Sequence, residues 1–183
     1  MIDGQAMLDL MSVRQSERQY TNKSVGKDKI ERILEAGRLA PSASNGQPWK
    51  FIVVDQPDLR LKVADATTSK IITINTFVHQ APVLIVVVRE KSNLKSRTGE
   101  MIKRKNYSLI DIGIAAVSMV YQATAEGLGT CIIGWLDEKK IRKLLGIPKS
   151  KKVELVLSVG YTENTLRKKS RKPPEEVISF NKY

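Results

Sequence analysis

The sequence predicts a mixed fold in which a β-sheet carries helices on both faces. Three observations predict it. Helical and extended segments are interspersed along the chain rather than segregated. Val83 to Val88 is an unbroken apolar, mostly β-branched run, which reads as a strand buried on both faces. Leu109 to Glu126 is a long helical stretch whose Ile112, Ile114, Val117, Val120 and alanines leave no clean polar face, as expected of a buried helix.

The remaining elements follow in order. Residues 3–12 read as a short helix. Asp28 to Leu39 places Ile30, Ile33, Leu34 and Leu39 on roughly one face, with Lys29, Glu31, Arg32 and Glu35 outside it. Pro41 ends this helix, because the residue before a proline avoids helical geometry. Phe51 to Val54 reads as a strand closed by an Asp-Gln-Pro breaker, and residues 58–66 as a helix. Ser92 to Thr98 is polar and basic and reads as a mobile loop. Gly127 and Gly129 read as C-cap glycines of the long helix. Thr130 to Ile133 reads as a strand, and Asp137 to Leu145 as a helix capped by Asp137. Val153 to Val159 is another strand, followed by a polar, basic tail. In a chain this small, an apolar helix over 109–126 finds one natural burial site against a second copy of itself.

Composition narrows the function classes. The 183 residues fit one domain over 1–183, large enough to bury a core without disulfides or a structural metal. The single cysteine, Cys131, permits no internal disulfide and fits a reducing, cytoplasmic setting. The N-terminus does not have the basic-then-apolar form of a signal peptide. The longest apolar run, Ala81 to Val88, is too short to span a bilayer. The formal charge of +12, from 31 basic and 19 acidic residues, raises the question of nucleic acid. The excess is spread over 89–105, 139–152 and 167–172, and the few aromatics do not interleave with it. That pattern fits a solvated exterior rather than a stacking platform.

No hydrolytic triad, metal-ligand spacing, phosphate-binding loop or dinucleotide fingerprint is present. The only histidine, His79, has no nucleophile motif beside it. Demanding chemistry would therefore have to come from a bound cofactor.

Three segments stand out. In Arg14-Gln15-Ser16-Glu17-Arg18, alternation puts Arg14, Ser16 and Arg18 on one side of an extended segment, as an anion requires. Pro41-Ser42-Ala43-Ser44-Asn45-Gly46-Gln47-Pro48-Trp49 is a polar, turn-rich loop between a helix and a strand, a common position for function. Lys168-Lys169-Ser170-Arg171-Lys172-Pro173 is a dense cationic stretch. Taken singly, the first also reads as a surface charge run and the third as a basic tail. The second also reads as a plain connection ending on a core Trp49.

Taken in order, these segments resemble the FMN-dependent nitroreductase family. The resemblance continues through Ala81 to Val87, Asp111 to Ala116, Gly127 to Gly134, Leu145 to Pro148, Val159 to Tyr161 and Ser170 to Pro173. The Pro-Ser-x-x-Asn-x-Gln-Pro-Trp stretch is its most specific piece. The resemblance implies an α+β fold with a central, mostly antiparallel sheet flanked by helices. It also implies an intertwined homodimer with two FMN sites at the interface. By matched position, Arg14, Ser16, Lys169 and Arg171 would hold the phosphate, with Gln15 in the same segment. Arg18 would lie near the flavin pyrimidine edge. Pro41, Ser42, Ser44 and Asn45 would come from the partner. Ile133 and Gly134 would approach the ring by backbone, and Asn75 would be a further contact. The implied activity is transfer of electrons from NAD(P)H through the flavin to nitroaromatic, quinone or related acceptors. The alternative is an FMN-binding or flavin-sensing protein without robust turnover.

Overall fold

A computed structural model describes residues 3–69 and 73–183. Its elements are α1 (Gly4–Val13), α2 (Lys27–Arg38), β1 (Trp49–Val54), α3 (Pro57–Asp65), β2 (Val83–Arg89), α4 (Leu94–Lys103), α5 (Tyr107–Ala125), β3 (Gly129–Ile133), α6 (Glu138–Leu144), β4 (Lys152–Gly160) and α7 (Pro174–Val177). Short 3-10 turns occupy Ala43–Asn45 and Thr76–Gln80.

The strands form one four-stranded sheet in the order β1-β2-β4-β3, and every neighbouring pair is antiparallel. The alternation of side chains along β2 divides the core. Leu84, Val86 and Val88 point to the face covered by α3 and α6, with Val63, Ala64 and Ile141. Val83, Ile85 and Val87 point to the face covered by α2 and α5, with Ile33, Ile112, Met119 and Val120. Helices thus cover both faces, as the sequence predicts. A bulge between Val87 and Val88 gives β4 one extra residue. It lets Val153 and Val156, three positions apart, lie on the same face.

Three expectations need correction. The stretch predicted as a mobile loop over Ser92 to Thr98 contains the start of α4. Asn93 caps that helix, its Oδ1 accepting from the Ser96 amide at 2.8 Å. Gly127 does end α5 at φ 74°, but Gly129 lies inside β3. A Cβ at Gly129 would stand 2.6 Å from Cγ of Glu17, so close approach rather than backbone freedom explains it. Finally, α5 is not buried all round. Ile112, Ala115, Ala116, Met119, Val120 and Ala123 face the core, whereas Leu109, Ile110 and Val117 are exposed.

One ion pair fixes the end of α5 against α2. Arg32 donates to both oxygens of Glu126, at 2.5 and 2.9 Å, and Glu126 also accepts from Gln122 at 3.0 Å. These contacts, the arginine first, hold the Glu126 carboxyl at about 2, below its ordinary 4.5. A carboxylate depressed on folding stabilises above its unfolded value and loses that contribution as pH falls through the folded one. Stability should therefore decline between about pH 4.5 and pH 2. Glu126→Gln should be less stable than the parent at neutral pH and should show a shallower decline across that window in urea unfolding.

Candidate functional site

The first predicted segment is held by the sheet. Leaving α1, the chain forms a parallel bridge from Ser16 to Thr130 of β3, and the Glu17 amide donates to the Thr130 carbonyl at 2.8 Å. Further on, the Thr21 amide donates to the Tyr161 carbonyl at 2.9 Å. Tyr20 seals the crossing. Its phenol donates to the Glu17 carbonyl at 3.0 Å and lies 2.7 Å from Ser158 Oγ. Burial pushes that phenol well above the ordinary tyrosine value, so it stays protonated.

The chain beyond β4 returns to the same place. Arg167 donates from its amide to Gln15 Oε1 at 3.0 Å and from its guanidinium to the Ser16 carbonyl at 2.5 Å. Gln15 Nε2 donates to the Thr165 carbonyl at 3.1 Å. Residues about 150 positions apart in the chain thereby become neighbours. Lys169 comes to lie within electrostatic reach of both Arg14 and Arg171. Its Nζ is shielded from solvent and has no hydrogen-bond partner among the described residues. Burial first, then the two guanidiniums, hold its ammonium below the usual lysine value. A shielded cation beside two others is chemically unsatisfied, and a dianion with several acceptor oxygens matches it.

Cys131 lies beneath the arginine segment. Burial pushes its thiol up, partly opposed by Arg18, Ser16, Arg167 and Arg14. It is a packed thiol rather than an activated nucleophile. Arg18 and Arg167, with Gln19, Asn164 and Thr165, line a polar cavity of about 350 Å³.

The other predicted residues fall into two groups. Asn75 sits in the left-handed region at φ 60°, and its Nδ2 donates to the Thr67 carbonyl at 2.9 Å. The adjacent Ala66 carbonyl accepts from the Asp137 amide at 2.6 Å. Asn75 is thereby tied to the stretch that leaves β3 through Ile133 and Gly134. The 41–47 loop is elsewhere. It precedes β1, the opposite edge strand from β3. Ala43 donates its amide to Asp111 Oδ1 at 3.0 Å, and the Ser44 carbonyl accepts from Asn93 at 2.8 Å. Ser42 Oγ accepts from the Gln47 amide at 3.0 Å. These contacts hold Ser44, Asn45 and Gln47 at positive φ. Ser44 and Asn45 are exposed, as is Pro41, while Ser42 is half-buried. Trp49 is half-buried rather than in the core, and stacks on Phe51 with ring centroids 6.3 Å apart.

Sequence reasoning passes over Glu17, Gly129, Asn164 and Arg167. The alternation that groups Arg14, Ser16 and Arg18 also points Gln15 and Glu17 to the other side, and that is the available signal. Among the described residues no cluster of His, Cys, Asp or Glu is placed to hold a metal ion.

The chain is thus a mixed fold with an antiparallel sheet in which residues 14–18 and 164–171 form one cationic cluster. The comparisons with known proteins give its family. The model of the nitroreductase family matches residues 11–76 and 72–161, and the chain belongs to that family. A relative in Archaeoglobus fulgidus, whose name pairs NADH dehydrogenase with NAD(P)H nitroreductase, is 30% identical over 161 residues, 86% of each chain. Among solved structures, a nitroreductase family protein from Clostridium novyi is 31% identical with a TM-score of 0.74, covering 86% of this chain and 85% of its own. An FMN-dependent nitroreductase from Clostridium difficile is 28% identical with a TM-score of 0.76, covering 97% of this chain and 100% of its own.

Gly129→Ala should force Glu17 and Thr162 away from β3, since a Cβ there would lie 2.6 Å from Glu17 Cγ and 3.0 Å from Thr162 Cγ2. Overpacking of this kind costs about 1–3 kcal/mol. The loss should appear as a lower denaturation midpoint with an unchanged m-value.

Proposed function

We propose that the chain is an FMN-dependent oxidoreductase, acting as one FMN-binding domain and using NAD(P)H as reductant. The observation that carries this reading is the shielded, unpartnered Lys169 ammonium beside Arg14 and Arg171. It fits the terminal phosphate of FMN, and the family relatives include an FMN-dependent nitroreductase. When bound, FMN supplies the redox chemistry, taking electrons from NAD(P)H and yielding them in ping-pong fashion to a nitroaromatic, quinone or related acceptor.

The residues have separable tasks. Arg14, Ser16, Lys169 and Arg171 bind the phosphate through charge-assisted hydrogen bonds. Arg18, exposed at the end of the same segment, places positive charge at the pyrimidine edge and favours negative charge there. Ile133 and Gly134 offer backbone, which needs no particular side chain, and Asn75, held by its bond to the Thr67 carbonyl, is a further contact. Gln15 turns away from the phosphate side and acts through its contacts to Thr165 and Arg167.

The 41–47 loop reaches a flavin through a second copy of the chain. In one chain it lies at the opposite edge of the sheet, three strand spacings of about 4.8 Å from β3. Apolar surface supports a homodimer: Leu8 on α1, Leu109 and Ile110 on α5, and Phe180 in the tail are all exposed. A free buried cysteine suits a cytoplasmic protein.

Purified protein should be yellow, and NADH or NADPH should bleach it without oxygen. A colourless protein that takes up no added FMN would sink the proposal. A yellow protein that neither nicotinamide bleaches would leave only flavin binding. Arg14→Ala and Arg171→Ala should each weaken FMN binding roughly 10- to 100-fold, the worth of a hydrogen bond to a charged group. Lys95→Ala and Lys140→Ala, at exposed positions, should stay within about twofold. Equal effects at all four positions would remove the phosphate assignment.

A further inference from the structure

We infer that Glu17 is a positioning residue for the phosphate half of the flavin site, clasping the arginine segment at 14–18 to the basic segment at 164–171. The inference rests on the FMN reading for its ligand, and on geometry for the clasp.

Glu17 is 5% exposed, which is unusual for a carboxylate and calls for partners. It has two, one for each oxygen. Gln15 Nε2 donates to Oε1 at 2.6 Å, and Asn164 Nδ2 donates to Oε2 at 2.7 Å. Gln15 is already joined to Thr165 and Arg167, so the carboxylate fixes both amides that link the two segments. Asn164 stands five residues before Lys169 and begins the stretch that delivers Lys169 and Arg171 to Arg14. Chain flanked by this many cations would separate by repulsion. A buried negative charge, hydrogen-bonded on both oxygens and with Arg14 and Arg18 on either side in sequence, opposes that separation.

The residue type is constrained. Gln15, whose amide is held by Thr165 and Arg167, presents an N–H donor, so the position needs an acceptor facing it, and only a carboxylate also adds a negative charge. Glu17→Gln would remove that charge from between the cations, while a turned Asn164 amide could still accept from the introduced N–H. Adding Asn164→Asp would return the charge to the clasp, because the introduced amide could donate to the introduced carboxylate while its oxygen accepts from Gln15. The exchange also conserves total charge. The Glu17 side chain hydrogen-bonds Gln15 and Asn164, neither of which is assigned to the ring side of the site, so its effect should follow the phosphate and spare the isoalloxazine.

The experiment compares dissociation constants of FMN and of riboflavin, which lacks the phosphate. The parent should favour FMN. Glu17→Gln should reduce that preference roughly tenfold or more while changing riboflavin affinity by less than about twofold. Combining Glu17→Gln with Asn164→Asp should restore the preference. Asn164→Ala, at an exposed position, provides a second route to the same loss if Glu17→Gln folds poorly. In the ligand-free protein, the Arg167 amide, which donates to Gln15 Oε1, should exchange faster in Glu17→Gln and recover in the double variant. Equal losses for FMN and riboflavin, no restoration in the double variant, or unchanged exchange would each overturn the inference. A parent protein that binds neither flavin would instead sink the FMN reading, and the exchange measurement would still judge the clasp.

Discussion

Arg14, Lys169 and Arg171 repel one another, and much of the structure around them serves to hold them together. A shielded ammonium beside two guanidiniums costs free energy in the absence of an anion. That cost is met by hydrogen bonds made a few residues away on each segment. Ser16 and Glu17 lock onto Thr130, Arg167 reaches back to Gln15 and the Ser16 carbonyl, and Tyr20 closes the crossing against Ser158. β3 is therefore more than an edge strand. It is the rail on which the first segment is fixed so that the last can find it. Gly129 is part of that rail, because no larger residue leaves room for Glu17.

The 41–47 loop shows the same economy on the other side of the sheet. Three residues that are not glycine, Ser44, Asn45 and Gln47, hold positive φ there, a conformation that costs of order 1 kcal/mol or more each. Ser42 inside the loop, Asn93 before α4 and Asp111 on α5 supply the contacts that keep it so. The loop's shape thus depends on two helices that lie well beyond it in the chain. Conversely, it explains why the polar Asp111 sits in the buried face of an otherwise apolar helix.

The fold is legible where a physical pattern runs uninterrupted. Val83 to Val88 could only be a central strand, and the buried stripe of α2 can be read from Ile30 and Ile33, whereas Leu39, expected on the same face, lies past the helix end and is exposed. What stays hidden depends on partners far away in the chain. Nothing local distinguishes Asn93 as a helix cap from Asn93 as a loop residue, so α4 escapes a linear reading. Gly129 and Gly127 look equivalent beside a helix end, and only the approach of Glu17 separates their roles. The candidate site follows the same rule. Arg14 and Arg171 are found through the ordered motifs between them, whereas Glu17, Asn164 and Arg167 lie among ordinary charged neighbours. Their significance lies in one another, and a linear reading does not bring residues 15 and 165 side by side.

That separation bears on how the protein is made. The arginine segment is synthesised well before its partners, and Thr130 must be made and paired with β4 before Ser16 has its place on the sheet. Gln15 and Thr165 are 150 residues apart, an interval on the order of ten seconds or more at ordinary rates of translation. Throughout it, the first segment waits as unpaired, cationic chain. The cationic site consequently forms only after the whole sheet has been synthesised, and a ligand that fits it meets strands already in place.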